Sequence, residues 1–461
     1  MTSLMNKFKV ITMSTLAVTA ELAFAAHPPS IIGKDGWLFT RYEVFDASAS
    51  SDTNESIALI SKMNKVFKDN DIQMLMVLVP LKMRIYSEYL GTNKNLLSPF
   101  MEQNYQKALT SFSSQQISFI DLNKAFLSSP DKNGPTPSFL KYDTHWSPSG
   151  ALLAAQTIKT GIDANPVVKN VFDKTKLEVY SLVKNPSLVK TIGITQDLAT
   201  KDLLPAGYPP PPTEELLGFS VKKTNAKSGL LGSSDAPEII LLGSSYSKEW
   251  AKFPDALRFT LQRDPMVISV TAVKGSWNGM LTMLQDNTFQ SQRPKMVIWE
   301  MPERDLRLLP GYAFRDARYK MSNQEWLLRA SALAQKSCKQ SNVKATVTGG
   351  VVNPDPANQA SFTSKETKNS DYVEISFSKN PNKTNYLSFD SKGSYLIRAE
   401  NYSPNKEANP MKFELTNASN TIKIPLYSQT GSLAKIRIYP GQTSGFSMQN
   451  IQVCNQPEGI I

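Results

Sequence analysis

Hydrophobic and polar positions along the chain fall into two textures that meet near Cys338. In the first, continuous apolar runs alternate with amphipathic stretches. Met74 to Val79 is apolar at every position and is closed by Pro80, and Ile57, Ile60, Met63, Val66 and Phe67 recur at helical spacing within Glu55 to Asn70 just before it. Further strand-like runs are Ile117 to Leu122, Ile239 to Leu242, Val267 to Val273 and Met296 to Trp299. A run that is apolar throughout suits a strand covered on both faces, so this alternation predicts an α/β domain with a mostly parallel sheet. Between about Pro166 and Ser234 the pattern weakens. Pro209 to Pro212 forms an extended element that can join neither a helix nor a central strand. The stretch reads as an insertion, either bordering a substrate cleft or looping over the surface.

Beyond Cys338 helical periodicity disappears. Short alternating runs recur at Tyr372 to Phe377, Tyr395 to Arg398, Lys412 to Leu415, Thr421 to Ile424 and Lys435 to Tyr439, separated by Pro, Gly and Asn clusters. They predict an antiparallel β-sandwich. The expected organisation is a signal at 1–25, an α/β domain at 26–335 with its insertion at about 166–234, and a β-sandwich at 338–461.

The N-terminus carries Lys7 and Lys9, a mostly apolar Val10 to Ala20, and Ala23-Phe24-Ala25 as a cleavage site. The alternative, an uncleaved anchor, has a run shorter than the ~20 residues a bilayer needs, and Glu21 interrupts it. Export to the periplasm follows. Export permits a disulfide between the two cysteines, Cys338 and Cys454, which would tie the start of the C-terminal segment to its end; two buried thiols are the alternative. The formal charge is +11, or +10 once Lys7, Lys9 and Glu21 are removed. The compartment and the lack of a dense Lys/Arg run exclude nucleic acid, leaving an anionic polysaccharide as the natural partner. Between Cys338 and Ile461 stand 13 Lys/Arg against 9 Asp/Glu, but all six tryptophans precede that segment. Tyr395, Tyr402, Tyr427 and Tyr439 are its candidates for stacking on sugar.

A histidine base must be His145, since the other histidine, His27, lies at the signal junction. His145 stands in Asp143-Thr144-His145-Trp146-Ser147-Pro148, where Ser147 can cap a helix and Pro148 can open it. Asp143 can turn back to accept the Nδ1 hydrogen and aim Nε2 at a nucleophile; a structural loop histidine is the plain alternative. Ile239 to Leu242 runs into Gly243-Ser244-Ser245, which puts a hydroxyl at the carboxyl end of a central strand.

Four blocks then carry a resemblance to the SGNH-like alginate O-acetyltransferase family, of the AlgX and AlgJ type. They are Gly33-Lys34-Asp35-Gly36-Trp37-Leu38-Phe39, Asp143 to Gly150, Gly243-Ser244-Ser245-Tyr246-Ser247, and Trp299-Glu300-Met301-Pro302-Glu303-Arg304. The Asp/His block precedes the serine, the reverse of ordinary SGNH hydrolases. The C-terminal β segment resembles the carbohydrate-binding module of the longer family type in length, texture and flanking cysteines. The resemblance implies Ser245 as nucleophile, His145 as base and Asp143 as its partner, in a ping-pong transfer of acetyl groups to an exopolysaccharide. It implies a membrane protein that delivers the acetyl donor, within an exopolysaccharide secretion complex. Gly275 and Asn278 are candidates for the oxyanion hole. Tyr246, Arg304, Lys82 and Arg84 are candidates for contact with the sugar; a buried structural tyrosine at 246 and a solvated surface pair at 82 and 84 are the plain alternatives. Glu300 and Arg304 could form an ion pair behind the site. No cofactor is required, and two histidines and two cysteines offer no metal-ligand cluster. A periplasmic acetyl esterase with the same three residues and a non-catalytic glycan-binding scaffold are the rival readings.

Overall fold

The computed structural model describes residues 29–460 apart from 191–196, 201, 213, 225–236, 313–318, 351–361, 365, 395, 404–407, 415–418 and 428–432. The expected signal, His27 and Tyr395 lie outside the described residues.

The chain opens with a hairpin, β1 (Ser30–Ile32) and β2 (Leu38–Thr40). There follow α1 (Ser50–Lys68), β3 (Gln73–Val79), α2 (Pro99–Ser114), β4 (Phe119–Ile120) and α3 (Pro148–Ala164). Next come an antiparallel pair, β5 (Tyr180–Lys190) and β6 (Glu215–Lys223), then β7 (Ile239–Gly243), α4 (Phe253–Leu261), β8 (Met266–Ser269), α5 (Gly275–Gln285), β9 (Met296–Pro302) and α6 (Asn323–Ala334). Strands β4-β3-β9-β7-β8 pair in that order, all parallel.

Every residue of β3, β7 and β9 is buried because alternate side chains enter two separate cores. Leu75, Val77, Leu241 and Ile298 pack with α3 and α4 on one face. Met76, Leu242, Trp299 and Met301 pack with α1, α5 and α6 on the other. Two of the expected strands are shorter than their apolar runs: 117–122 pairs only at Phe119–Ile120, and 267–273 stops at Ser269 before the chain turns into α5.

The remaining strands are β10 (Ala345–Gly350), β11 (Phe362–Ser364), β12 (Val373–Phe377), β13 (Asn385–Lys392), β14 (Leu396–Tyr402), β15 (Ala408–Glu414), β16 (Ser419–Pro425), β17 (Lys435–Tyr439) and β18 (Phe446–Asn455). They form two antiparallel sheets, β10-β12-β17-β14-β15 and β11-β18-β13-β16, around a core that includes Ile375, Leu387, Ile397, Ile424, Ile436 and Val453. Cys338 and Cys454 are joined as a disulfide, with Cα atoms 5.2 Å apart. The α/β domain and the β-sandwich are therefore as the hydrophobic pattern predicts.

Candidate active site

At the carboxyl end of the parallel sheet, β7 stops at Gly243. Ser244 caps a single 3-10 turn, Ser245–Ser247, with its Oγ accepting from the Tyr246 N–H at 3.2 Å. Beneath the turn, Glu300 of β9 accepts from the Ser244 N–H at 2.8 Å, the Ser244 hydroxyl at 2.9 Å and the Ser247 hydroxyl at 2.8 Å. Burial pushes the Glu300 carboxyl up to about 7.

His145 comes from the loop before α3. Ser147 caps that helix by accepting from the Gly150 N–H at 3.1 Å, and Pro148 opens it. The loop folds on itself: the Leu140 N–H donates to the His145 carbonyl and the Ser147 N–H to the Ser138 carbonyl. Asp143 Oδ1 accepts from the His145 N–H at 2.9 Å and stands 2.5 Å from Nδ1. A carboxylate can only accept, so Nδ1 carries the hydrogen. Nε2 is then free to accept from the Ser245 hydroxyl, 2.8 Å away. Burial would raise the Asp143 carboxyl, but its hydrogen bonds and the neighbouring imidazole outweigh that and hold it below the ordinary carboxylate range. Tyr246 and Trp250 wall the imidazole, with ring centroids at 4.7 and 4.8 Å. Beside Ser245 opens a cavity of about 300 Å³, lined by Val44, Gly275, Ser276, Arg304, Leu308 and Tyr312 among others.

Ser245, His145 and Asp143 thus come together from elements far apart in the chain, while several other expected site residues have different surroundings. Lys82 and Arg84 are both buried, which corrects their reading as polymer contacts or as a surface pair. Lys82 Nζ donates to the carbonyls of Leu38 (2.6 Å), Lys141 (3.1 Å) and Asp143 (2.8 Å), so it braces the Asp143 loop from behind. Burial takes its ammonium down to about 8. Arg84 pairs with Glu303 and donates to Asn123 and the Met101 carbonyl. Arg304 pairs with Glu43 at 3.4 Å rather than with Glu300, which corrects that ion pair. Tyr246 is buried and its hydroxyl donates to the Thr144 carbonyl at 2.5 Å, so it locks the nucleophile turn to the histidine loop. Gly275, at φ +73°, lines the cavity, but its N–H donates to the Thr271 carbonyl at 2.9 Å. Asn278 spends its amide on the carbonyls of Lys274 and Tyr319 at 3.1 and 3.0 Å. Both proposed oxyanion donors are therefore occupied. The Ser245 N–H has no hydrogen-bond partner among the described residues.

Sequence reasoning missed Asp197. Its Oδ1 and Oδ2 accept from the Thr144 N–H at 2.8 Å and the Thr144 hydroxyl at 2.6 Å, and its own N–H donates to Asp143 Oδ2 at 3.0 Å. Burial, then the Asp143 charge, pushes its carboxyl above the ordinary range. No spacing signal could place it there, since 54 residues separate it from Asp143. Asp143, His145 and Asp197 also have metal-like spacing, with ligand atoms within 4.8 Å of one another, but Oδ1 of Asp143 and Nδ1 of His145 are bonded to each other. In the β-sandwich, the Tyr402 and Tyr439 hydroxyls both donate to Glu400, at 2.5 and 2.9 Å.

A parallel sheet that carries a serine turn, faced by an Asp-x-His loop, defines an SGNH hydrolase-like fold. Residues 31–303 match the family model described as SGNH hydrolase-like domain, acetyltransferase AlgX, and the chain belongs to this family. A relative from Pseudomonas syringae pv. tomato, named probable alginate O-acetylase AlgJ, is 30% identical over 312 residues, covering 63% of this chain and 72% of the relative. Among solved structures, the O-acetyltransferase domain of Pseudomonas putida AlgJ superposes with a TM-score of 0.54 at 23% identity, over 66% of this chain and 99% of that one. Pseudomonas aeruginosa AlgX superposes with a TM-score of 0.61 at 17% identity, over 93% and 95%, so the shared fold includes the β-sandwich.

Proposed function

We propose that this protein is an O-acetyltransferase that moves acetyl groups through an acetyl-Ser245 intermediate onto hydroxyls of an exported anionic polysaccharide, with alginate the acceptor suggested by the names of its relatives. What carries the reading is the unbroken path from Ser245 Oγ to His145 Nε2 (2.8 Å) and from Nδ1 to Asp143 (2.5 Å). His145 takes the hydroxyl proton as Oγ attacks the acetyl carbonyl of the donor. The carbon–oxygen bond to Ser245 forms, and the donor's leaving group departs with the proton returned by His145. A sugar hydroxyl then gives its proton to His145 and attacks the ester carbon; the bond to Ser245 Oγ breaks and His145 returns the proton to Oγ, which frees Ser245. Negative charge on the carbonyl oxygen is met by the Ser245 N–H. The cavity of about 300 Å³ beside Ser245 is large enough to seat a sugar that keeps water from the ester. In this reading a membrane protein of a periplasmic secretion complex delivers the acetyl group.

The test is incubation of the mature protein with a chromogenic acetyl ester, with and without oligomannuronate, and mass spectrometry of the enzyme. An acetyl adduct on Ser245, lost in Ser245→Ala and discharged onto the oligosaccharide, is the expected result. Discharge to water alone in the presence of the oligosaccharide would point to an esterase or to a different acceptor polymer. No adduct on folded protein would leave a glycan-binding scaffold.

A further inference from the structure

The insertion returns to the Asp143 loop at two points. At one, Glu214 accepts from the Lys141 N–H at 2.7 Å and from the Tyr142 N–H at 3.2 Å. At the other, a 3-10 turn at Asp197–Ala199 lays Asp197 across Thr144 and points its N–H at Asp143, while the Leu198 N–H donates to the Tyr142 carbonyl at 3.3 Å. Residues 141–144 are thus held along their length by residues of the insertion that lie more than 50 positions later in the chain.

The contact with Asp143 is the one that bears on chemistry. Asp143 has no exposed surface, and its two oxygens do different work: Oδ1 faces His145 and Oδ2 faces the Asp197 N–H. Remove the second donor and a buried carboxylate oxygen is left with nothing to accept from, so the group turns to satisfy both oxygens and loses its alignment with Nδ1. The Asp197 side chain adds a second effect. Its Oδ2 lies 3.9 Å from His145 Nδ1, outside hydrogen-bond distance but close enough for its charge to act. Asp143 and Asp197 are the carboxylates that face the imidazole. Lys82 and Glu214 stand behind the loop, and Arg304 stands across Tyr246 from it.

We propose that Asp197 is a positioning residue for the reaction at Ser245: its main chain fixes the Asp143 carboxylate, its side chain fixes Thr144, and its charge stabilises the imidazolium formed when His145 takes the serine proton. The proposal rests on the acetyl-serine reading and deepens it, because the insertion then completes the active site.

The test compares Asp197→Asn, Thr144→Val and Ser245→Ala in the full mature chain, each checked for native circular dichroism. Asn keeps the backbone donor and an acceptor for Thr144 but removes the charge. The expected result is a fall in kcat of roughly 10- to 100-fold with KM within about twofold. The acidic limb of the kcat/KM profile should move to lower pH by about one unit, since an anion that favours the protonated base is gone. Thr144→Val removes the hydroxyl's contacts with Asp197 Oδ2 (2.6 Å) and His145 Nδ1 (3.3 Å) and leaves the charge, so kcat should fall by about fivefold with the limb unmoved. Wild-type kcat and limb in Asp197→Asn would overturn the proposal, as would a fall in kcat with an unmoved limb, which reduces Asp197 to scaffold. Should Asp197→Asn not fold, wild-type kcat in Thr144→Val would overturn it. Full activity in Ser245→Ala sinks the underlying reading instead, whatever Asp197 does.

Discussion

Glu300 has no exposed surface, and three donors from the nucleophile turn converge on it. No room exists above it for any residue but glycine at 243, where a Cβ would lie 2.7 Å from Glu300 Oε2 and 2.0 Å from Ser247 Oγ. Desolvation outweighs those donors and raises the carboxyl to about 7 from an ordinary value of 4.5. Between these values the folded state binds more protons than the unfolded one. The stability this group contributes is therefore fully present below about pH 4.5 and is lost as pH rises through about 7. Glu300→Gln, neutral and nearly isosteric, should flatten the pH dependence of the melting temperature across that window while keeping acetylation of Ser245. Glu300→Ala strands the buried donors and should cost about 2–4 kcal/mol in urea unfolding. An Ala variant as stable as the parent would remove Glu300 as the support of the turn. At this scale the sequence exposed the reacting groups more clearly than their supports. Histidine scarcity and a strand-borne Gly-x-Ser singled out His145 and Ser245. Asp197 carries no such mark, and Lys82 and Glu300 stand among the candidates for other roles than the support they give, because a buried charge is legible only once its partners are in space.

The start of α3 decides where His145 sits. Ser147 and Pro148 are recognisable as cap and first turn from the sequence alone, whereas the role of Gly150 is not. A Cβ at Gly150 would stand 1.9 Å from the Ser138 carbonyl oxygen, so the helix can approach the folded loop only with glycine there. Gly150→Ala should push the helix off the loop, costing about 1–3 kcal/mol of stability in urea and lowering the rate of Ser245 acetylation with it. Unchanged acetylation in a destabilised variant would separate the loop's position from the helix. The strands missed in the sequence have a comparable physical cause. β13 (Asn385–Lys392) buries Ser388 and Ser391 beside Leu387 and Phe389, and its pairing with β18 shifts register between Ser388 and Asp390. Buried polar residues on both faces and an irregular ladder hide the alternation by which its neighbour β16 is recognised.

Across the whole molecule, reaction and attachment sit at opposite ends of the parallel sheet. Ser245 follows the carboxyl end of β7, while Arg293 precedes the amino end of β9, where the β-sandwich meets the α/β domain. There Lys423 of β16 reaches the last carbonyls of α6, donating to Gln335 at 2.7 Å, Leu333 at 3.4 Å and the Gln290 amide oxygen at 3.0 Å. Arg293 donates to the Ala334 and Gln335 carbonyls at 2.8 and 2.6 Å. Two cations at a helix C-terminus are favourably placed, yet they repel each other, and the Asp390 carboxylate partly offsets this at Lys423. Burial first, then the Arg293 charge, lowers the Lys423 ammonium to about 7. As pH rises above 7 the folded protein releases this proton while the unfolded chain, with an ordinary lysine, still holds it, so stability rises until about pH 10. Lys423→Met removes that slope together with the helix-end hydrogen bonds. The gap in stability between the parent and Lys423→Met should therefore widen by about 1–2 kcal/mol between pH 6.5 and 8.5, read from urea unfolding at each pH with the Cys338–Cys454 disulfide intact. A constant gap would mean that the lysine keeps its proton throughout, and that the junction is held by packing and the disulfide instead.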